Sequence, residues 1–226
     1  MHKVSCVIAA YNEAPRIGGV LRAVTGHPLL NEIIVVDDGS KDNTAGAART
    51  FKNVRLISHD KNQGKSKAVH TGLTQAKGDV IFLLDADLVG LTAENITDIL
   101  NPVLNNLADV GISMRRNSPW IDRILGIDYI SGERVFSKAL IEKHLDEIYK
   151  LPNFGLEVFL NRIIIKNKCR IKVAYWENVI SPLKSKKIGL ISGIKSDIRM
   201  ISDILKVISI FEVIYQFTQM LRLKVD

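Results

Sequence analysis

Val80-Ile81-Phe82-Leu83-Leu84-Asp85-Ala86-Asp87 sets five apolar residues directly against two carboxylates. An uninterrupted apolar run of this length, bounded by polar residues, reads as a strand buried on both faces, as in a parallel sheet covered by helices. Side chains alternate along a strand, so Asp85 and Asp87 would point the same way while Ala86 turns back into the fold. Two carboxylates held together repel each other unless a cation lies between them or one keeps its proton. Oxygen-only ligands favour a hard divalent cation such as Mg²⁺ or Mn²⁺. The competing reading makes them loop aspartates that cap the next helix.

The residues before this run repeat its pattern. Val4-Ser5-Cys6-Val7-Ile8-Ala9 is a first strand, and Pro15 opens a helix that puts Ile17, Val20, Leu21 and Val24 on one face. Glu32-Ile33-Ile34-Val35-Val36 is a second buried strand, ending in Asp37-Asp38-Gly39-Ser40 and followed by a helical stretch over 44–51. A third strand over 54–57 leads through Asn62-Gln63-Gly64-Lys65 into a helix with Ala68, Val69, Leu73 and Ala76 inward, which Gly78 stops. Four strands separated by helices imply a parallel sheet with right-handed crossovers, whose ligand crevice lies beyond the carboxyl ends of the strands. Tyr11-Asn12-Glu13, Asp37-Asp38-Gly39-Ser40 and Asp85-Ala86-Asp87 all fall at such ends, and this recurrence weighs against the capping reading. Asp37 or Asp38 could accept hydrogen bonds from a base or ribose, with Gly39 letting a ligand approach the backbone. Lys65 at a helix start would sit where phosphate is already favoured. No Gly-x-Gly-x-x-Gly follows the first strand, which excludes the dinucleotide fingerprint.

The 226 residues, 46% hydrophobic and 24% charged, suit one large α/β domain or one domain plus a tail. Cys6 and Cys169 have neither metal nor disulfide spacing, pointing to a reducing compartment. The apolar stretch at 4–10 is too short for a secretory signal, and no run of eighteen apolar residues occurs. The expected location is therefore cytoplasmic. A net charge of +7 favours anionic partners: phosphorylated substrates, anionic lipid or nucleic acid.

Taken in order, Val4 through Glu13, Ile34-Val35-Val36-Asp37-Asp38-Gly39-Ser40-Lys41-Asp42-Asn43-Thr44, Asn62-Gln63-Gly64-Lys65 and Asp85-Ala86-Asp87 resemble the nucleotide-sugar-binding half of a family 2 glycosyltransferase. The resemblance covers about the first ninety residues. It implies a GT-A fold, a mostly parallel Rossmann-like sheet flanked by helices, that binds a UDP- or GDP-linked sugar through Mg²⁺ or Mn²⁺ and has no nucleic-acid partner. Carried over by position, Ala10, Tyr11, Glu13, Asp38, Gly39, Lys65, Asp85 and Ala86 would line the nucleotide sugar. Asp87 would hold the metal, with Asp85 beside it.

The second half is less regular. A helix over 92–104 with Ile96, Ile99, Leu100 and Val103 inward precedes a strand over 109–114, closed by Arg115-Arg116. Ile130-Ser131-Gly132-Glu133-Arg134-Val135-Phe136 and Asn153-Phe154-Gly155-Leu156-Glu157-Val158 resemble, more loosely, acceptor-side segments of glucosyl-3-phosphoglycerate synthases and polyprenyl-phosphate sugar synthases. The likeness makes Arg115, Arg116, Gly132 and Glu133 acceptor-binding candidates. Arg134 becomes a candidate cation for an acceptor phosphate, and Glu157 a candidate base for an acceptor hydroxyl; an internal salt bridge is the alternative for both. Two departures stand out. Some relatives supply a late histidine to the metal, and no histidine follows His144; Val89 stands where lipid-phosphate mannose synthases usually have glutamine.

Residues 1–183 thus read as one GT-A domain, with 1–90 binding the donor and 91–183 the acceptor. A basic segment with Lys184, Lys186, Lys187 and Lys195 then leads into an amphipathic helix over 198–225. Its narrow polar stripe suits packing on its own domain, a homodimer seam, or an anionic membrane surface. The expected activity is hexose transfer to a polyprenyl phosphate at the cytoplasmic membrane face, the alternative a small soluble acceptor such as a phosphorylated glycerate or a saccharide. A nucleotidyltransferase would carry a Gly-rich basic loop where Tyr11-Asn12-Glu13 stands, and the intact Asp85-Ala86-Asp87 argues against a non-catalytic sensor.

Overall fold

The computed structural model describes residues 2–152, 155–182 and 207–226. The alternation expected for the first half is present: β1 (Val4–Ala10), α1 (Ala14–Val24), β2 (Glu32–Asp37), α2 (Thr44–Arg49), β3 (Val54–Ser58), α3 (Lys65–Gln75) and β4 (Val80–Asp85). The second half contributes α4 (Ala93–Leu104), β5 (Val110–Arg115), α5 (Trp120–Leu125), β6 (Arg134–Ser137), α6 (Leu145–Lys150), α7 (Leu156–Lys166), β7 (Ile171–Trp176) and α8 (Ile210–Leu223).

The strands form a seven-stranded sheet in the order β3-β2-β1-β4-β6-β5-β7. All pairs are parallel except those of β6, which runs antiparallel to β4 and β5. Because both faces are covered, alternate residues of one strand enter different cores. Val7, Ile34, Val36, Ile81 and Leu83 join the layer beneath α3, α6, α7 and α8, while Cys6, Ile8, Val35, Phe82 and Leu84 join the layer beneath α1 and α4. The inward residues of α1 and α4 are those their periodicity indicates. Thr92, whose side chain accepts from Asn95 N, caps α4 and ends the turn that follows Asp87.

Register aligns the polar clusters. Ala10 pairs with Asp37 and Ala9 with Asp85, so the chain leaves β1, β2 and β4 at the same edge.

The C-terminal helix packs on its own domain, one of the three arrangements its pattern allows. Gln216, at 1% exposure, accepts a hydrogen bond from Tyr129 Oη at 2.8 Å, and Glu212 pairs with Arg162, so the polar stripe faces the domain. Met220 and Phe217 complete the packing, whereas Phe211, Ile214 and Tyr215 stay exposed. Buried polar groups with partners can share an inner face with apolar ones, as Gln216 does here. Val225 N donates to Ile171 O at 2.8 Å, tying the last residues to β7. The basic segment at 184–195 and residues 198–206 lie outside the described residues, as do Asn153 and Phe154.

Candidate active site

The loops after β1 and β2 lock together before any ligand is considered. Asn12 takes a left-handed φ of 56°, which asparagine tolerates, and its N–H donates to Ser40 Oγ at 2.9 Å. Lys41 N donates back to Asn12 Oδ1, and Glu13 N donates to Thr44 Oγ1, both at 2.8 Å. Tyr11 remains 39% exposed at this rim, and Glu13 pairs with Arg16.

The Asp38 side chain is turned into the protein. Its carboxylate is 2% exposed and accepts hydrogen bonds from His59 Nδ1 at 2.8 Å, Gln63 N at 3.0 Å and Gly64 N at 2.7 Å. It holds the loop that delivers Lys65, with three accepted bonds on a carboxylate that has about four lone-pair sites. Gly39 is likewise needed by the protein itself. At φ +68° its added Cβ would lie 2.6 Å from Asn62 N, so the Lys61–Asn62 backbone already requires glycine here.

Lys65, the first residue of α3, joins the two halves of the chain. Its Nζ lies 2.9 Å from Asp85 Oδ1 and 2.8 Å from Glu157 Oε1 in the first turn of α7. Burial works against the ammonium, yet Asp85 and Glu157 outweigh it and raise its pKa. The expected donor lysine, donor aspartate and acceptor-side glutamate therefore form one charge chain.

The antiparallel entry of β6 completes the surroundings of Asp85. Leu83 pairs with Arg134, which brings Gly132 opposite Asp85 two residues further on. A Cβ on Gly132 would lie 2.6 Å from Asp85 Oδ2, so glycine is what lets this strand pass the carboxylate.

Arg115 and Glu133, both acceptor-binding candidates from the sequence, pair with each other. Glu133 is fully buried and accepts from Ser113 Oγ at 2.6 Å and Ser131 Oγ at 3.0 Å. Burial pushes its carboxyl up, while Arg115 and the Ser113 bond pull the other way. Arg115 lies 3.5 Å from both Asp128 and Glu133. Burial works against its charge, but Glu133 and Asp128, with smaller contributions from Asp85 and Asp87, outweigh it and raise its pKa. Arg116 is exposed, and its N–H donates to Trp176 O and Val179 O.

Arg134 departs from the sequence expectation. Its guanidinium is wholly buried and donates to Ser131 O at 2.8 Å, Asn161 Oδ1 at 2.6 Å and Tyr129 O at 3.0 Å. Each of its three nitrogens donates to a protein carbonyl oxygen and the side chain is closed off from solvent, so Arg134 braces the 129–134 turn. The salt-bridge alternative also fails, because its partners are carbonyl oxygens. Asn161 carried no local signal, since it reads as one more residue of a helix.

Asp85 and Asp87 give a carboxylate-only donor set at the strand edge, which fits a hard divalent cation. Asp85 is shared with Lys65, so Asp87 is the better-placed ligand. Among the described residues no group of three or more His, Cys, Asp or Glu side chains could enclose a metal, and the remaining donors would come from a diphosphate and water. Ser181, which no motif marks, donates to Asp87 Oδ2 at 2.9 Å.

Residues 5–154 match the family model described as glycosyl transferase family 2. Over 97 residues the chain is 40% identical to an undecaprenyl-phosphate 4-deoxy-4-formamido-L-arabinose transferase of Pseudomonas fluorescens, covering 39% of this chain and 28% of that protein. Over 209 residues it is 28% identical to a UDP-N-acetylglucosamine–dolichyl-phosphate N-acetylglucosaminyltransferase of Methanococcus voltae, covering 74% and 81%. The chain spans less than a third of the length of the curated relatives it matches at 38% to 40% identity. Among solved structures, glucosyl-3-phosphoglycerate synthase from Mycobacterium tuberculosis, in complex with Mn²⁺, UDP-glucose and phosphoglyceric acid, superposes with a TM-score of 0.72 at 19% identity. That likeness covers 91% of this chain and 79% of the other, and it is one of fold, bearing out the GT-A arrangement.

Proposed function

The chain belongs to glycosyl transferase family 2, and from that premise we propose that it moves a hexose from a nucleoside diphosphate sugar to the phosphate of a polyprenyl phosphate. The donor lies across the common strand edge, against Ala10, Tyr11, Glu13 and Ala86, with its diphosphate toward Lys65, Asp85 and Asp87. Mg²⁺ or Mn²⁺ at Asp87 would act as a Lewis acid toward the diphosphate leaving group.

The Lys65–Glu157 ion pair carries the choice of acceptor. A sugar hydroxyl needs a positioned base, and a carboxylate already holding an ammonium is poorly suited to that task. A phosphate monoester is largely dianionic at neutral pH and needs no base. One of its oxygens bonds to the anomeric carbon as the bond to the diphosphate breaks, and the nucleoside diphosphate leaves with the electron pair. Arg115, held by Asp128 and Glu133, and the exposed Arg116 are the cations this half offers to that acceptor.

Two further observations support a lipid-borne phosphate. The relatives named above act on undecaprenyl and dolichyl phosphates. The acceptor half also exposes Trp120, Ile121 and Ile124 on α5, with Arg116 and Arg123 near them, a combination suited to the headgroup region of an anionic cytoplasmic membrane face. No helix among the described residues is long and apolar enough to cross a membrane.

The test is transfer from labelled UDP- and GDP-hexoses with Mn²⁺ to undecaprenyl phosphate in vesicles, run beside 3-phosphoglycerate and a free saccharide. Product on the lipid, lost in excess chelator, is expected. Product only on phosphoglycerate would keep a phosphate acceptor but make it soluble, and product only on the saccharide would overturn the acceptor chemistry.

A further inference from the structure

We propose that Ser181 is the positioning residue of the cation site, fixing the Asp87 carboxylate through its hydroxyl; the inference rests on the metal-dependent reading above. Asp87 and Ser181 are 94 residues apart in sequence, yet Ser181 Oγ donates to Asp87 Oδ2 at 2.9 Å. The segment after β7 that carries Ser181 is anchored on two sides. Val89 and Ile180 exchange both backbone hydrogen bonds, at 2.9 and 3.0 Å. Ser181 N donates to Asn117 Oδ1 at 3.1 Å, and Asn117 Nδ2 donates to Ser181 O at 2.6 Å. Asn178 Nδ2 donates to Gly90 O at 2.7 Å. Gly90 has a φ of +87°, and any Cβ there would collide with the Asn178 carbonyl oxygen, so the turn after Asp87 is shaped to receive this segment.

These backbone anchors hold the segment without help from the Ser181 hydroxyl. What the hydroxyl adds is a directional bond to one carboxylate oxygen of Asp87. That bond sets the rotamer, and therefore the direction of the second oxygen, at the end of the strand that carries Asp85. A ligand oriented before the cation arrives loses less side-chain freedom on binding, and outer partners of this kind commonly contribute tenfold or more to metal affinity. Carboxylate and hydroxyl oxygens also keep the surroundings of the site hard, as Mg²⁺ or Mn²⁺ requires.

The measurement is Mn²⁺ uptake by the full chain, read from the loss of the free-ion EPR signal in the presence of UDP and, separately, GDP. Ser181→Ala should weaken Mn²⁺ binding about tenfold at an unchanged melting temperature, and Ser181→Thr, which keeps a hydroxyl, should stay within about twofold of wild type. Wild-type affinity in Ser181→Ala would overturn the role of Ser181 alone. Absence of Mn²⁺ uptake by the wild type with either nucleotide would overturn the metal-dependent reading beneath it.

Discussion

Replacing Lys65 by Met would leave Asp85 and Glu157 facing each other with their shared cation gone. Their paired oxygens lie 2.9 and 2.8 Å from Nζ, and the three side chains are between 10% and 28% exposed. Two unit charges roughly 6 Å apart repel by about 3 kcal/mol at an effective dielectric constant near 20. The variant also loses two charge-assisted hydrogen bonds, each contributing about 1.5–3 kcal/mol. Some of this is recovered because water enters and one carboxylate takes up a proton, so a net loss of about 2–4 kcal/mol is expected at pH 7. The repulsion raises the folded-state carboxylate pKa values of the variant, so its native state binds protons more tightly than its unfolded state. Lowering the pH from 7 to 5 should therefore restore part of the loss. Urea unfolding followed by tryptophan fluorescence measures this directly, because Trp176 is fully buried. Glu157→Gln in the Lys65→Met background removes the second charge and should recover at least about 1.5 kcal/mol, a coupling well above the additivity limit. Equal stability of Lys65→Met and wild type, or additive behaviour of the pair within about 0.5 kcal/mol, would refute the charge chain.

Three further outcomes follow from the same geometry. Asp38→Ala strands the Gln63 and Gly64 amides and should cost about 2–4 kcal/mol without any ligand, with faster hydrogen exchange at Gly64; a residue that only read the nucleotide base would leave the free protein's stability unchanged. Arg134→Met should destabilise by about 3–5 kcal/mol, and a variant of normal stability with only a raised acceptor KM would return Arg134 to the acceptor site. Burial and the neighbouring Asp128 push the Asp122 carboxyl up to about 7 from an ordinary 3.8, so its stabilising contribution is full below the lower value and lost as pH rises through the upper one. Asp122→Asn should match wild type near pH 4 and exceed it by about 2 kcal/mol at pH 8 in thermal melts.

Much of the architecture was legible in the linear chain, because strand and helix periodicities are local. Runs such as Ile33 to Val36 and Val80 to Leu84 announce strands buried on both faces, and the alternation with helices then dictates parallel pairing. From that pairing alone, Tyr11, Asp38 and Asp85 had to fall at one edge. What periodicity does not carry is which charge meets which. Asp38 and Asp85 look alike in sequence, each an aspartate at the end of an apolar run, yet one accepts from the Gln63 and Gly64 amides and the other faces Lys65. Arg134 looks like an exposed cation beside Glu133 until β6, only four residues long, enters antiparallel between β4 and β5 and turns its guanidinium inward. So short a strand has too few residues to show a period, and its direction is set by the two strands it fits between. The Ser181–Asp87 bond depends on a crossing of segments 94 residues apart. Local periodicity is enough to put the polar clusters at one edge of the sheet. Which of those charges pair within the fold depends on register and distance in space, to which neighbours along the chain contribute little.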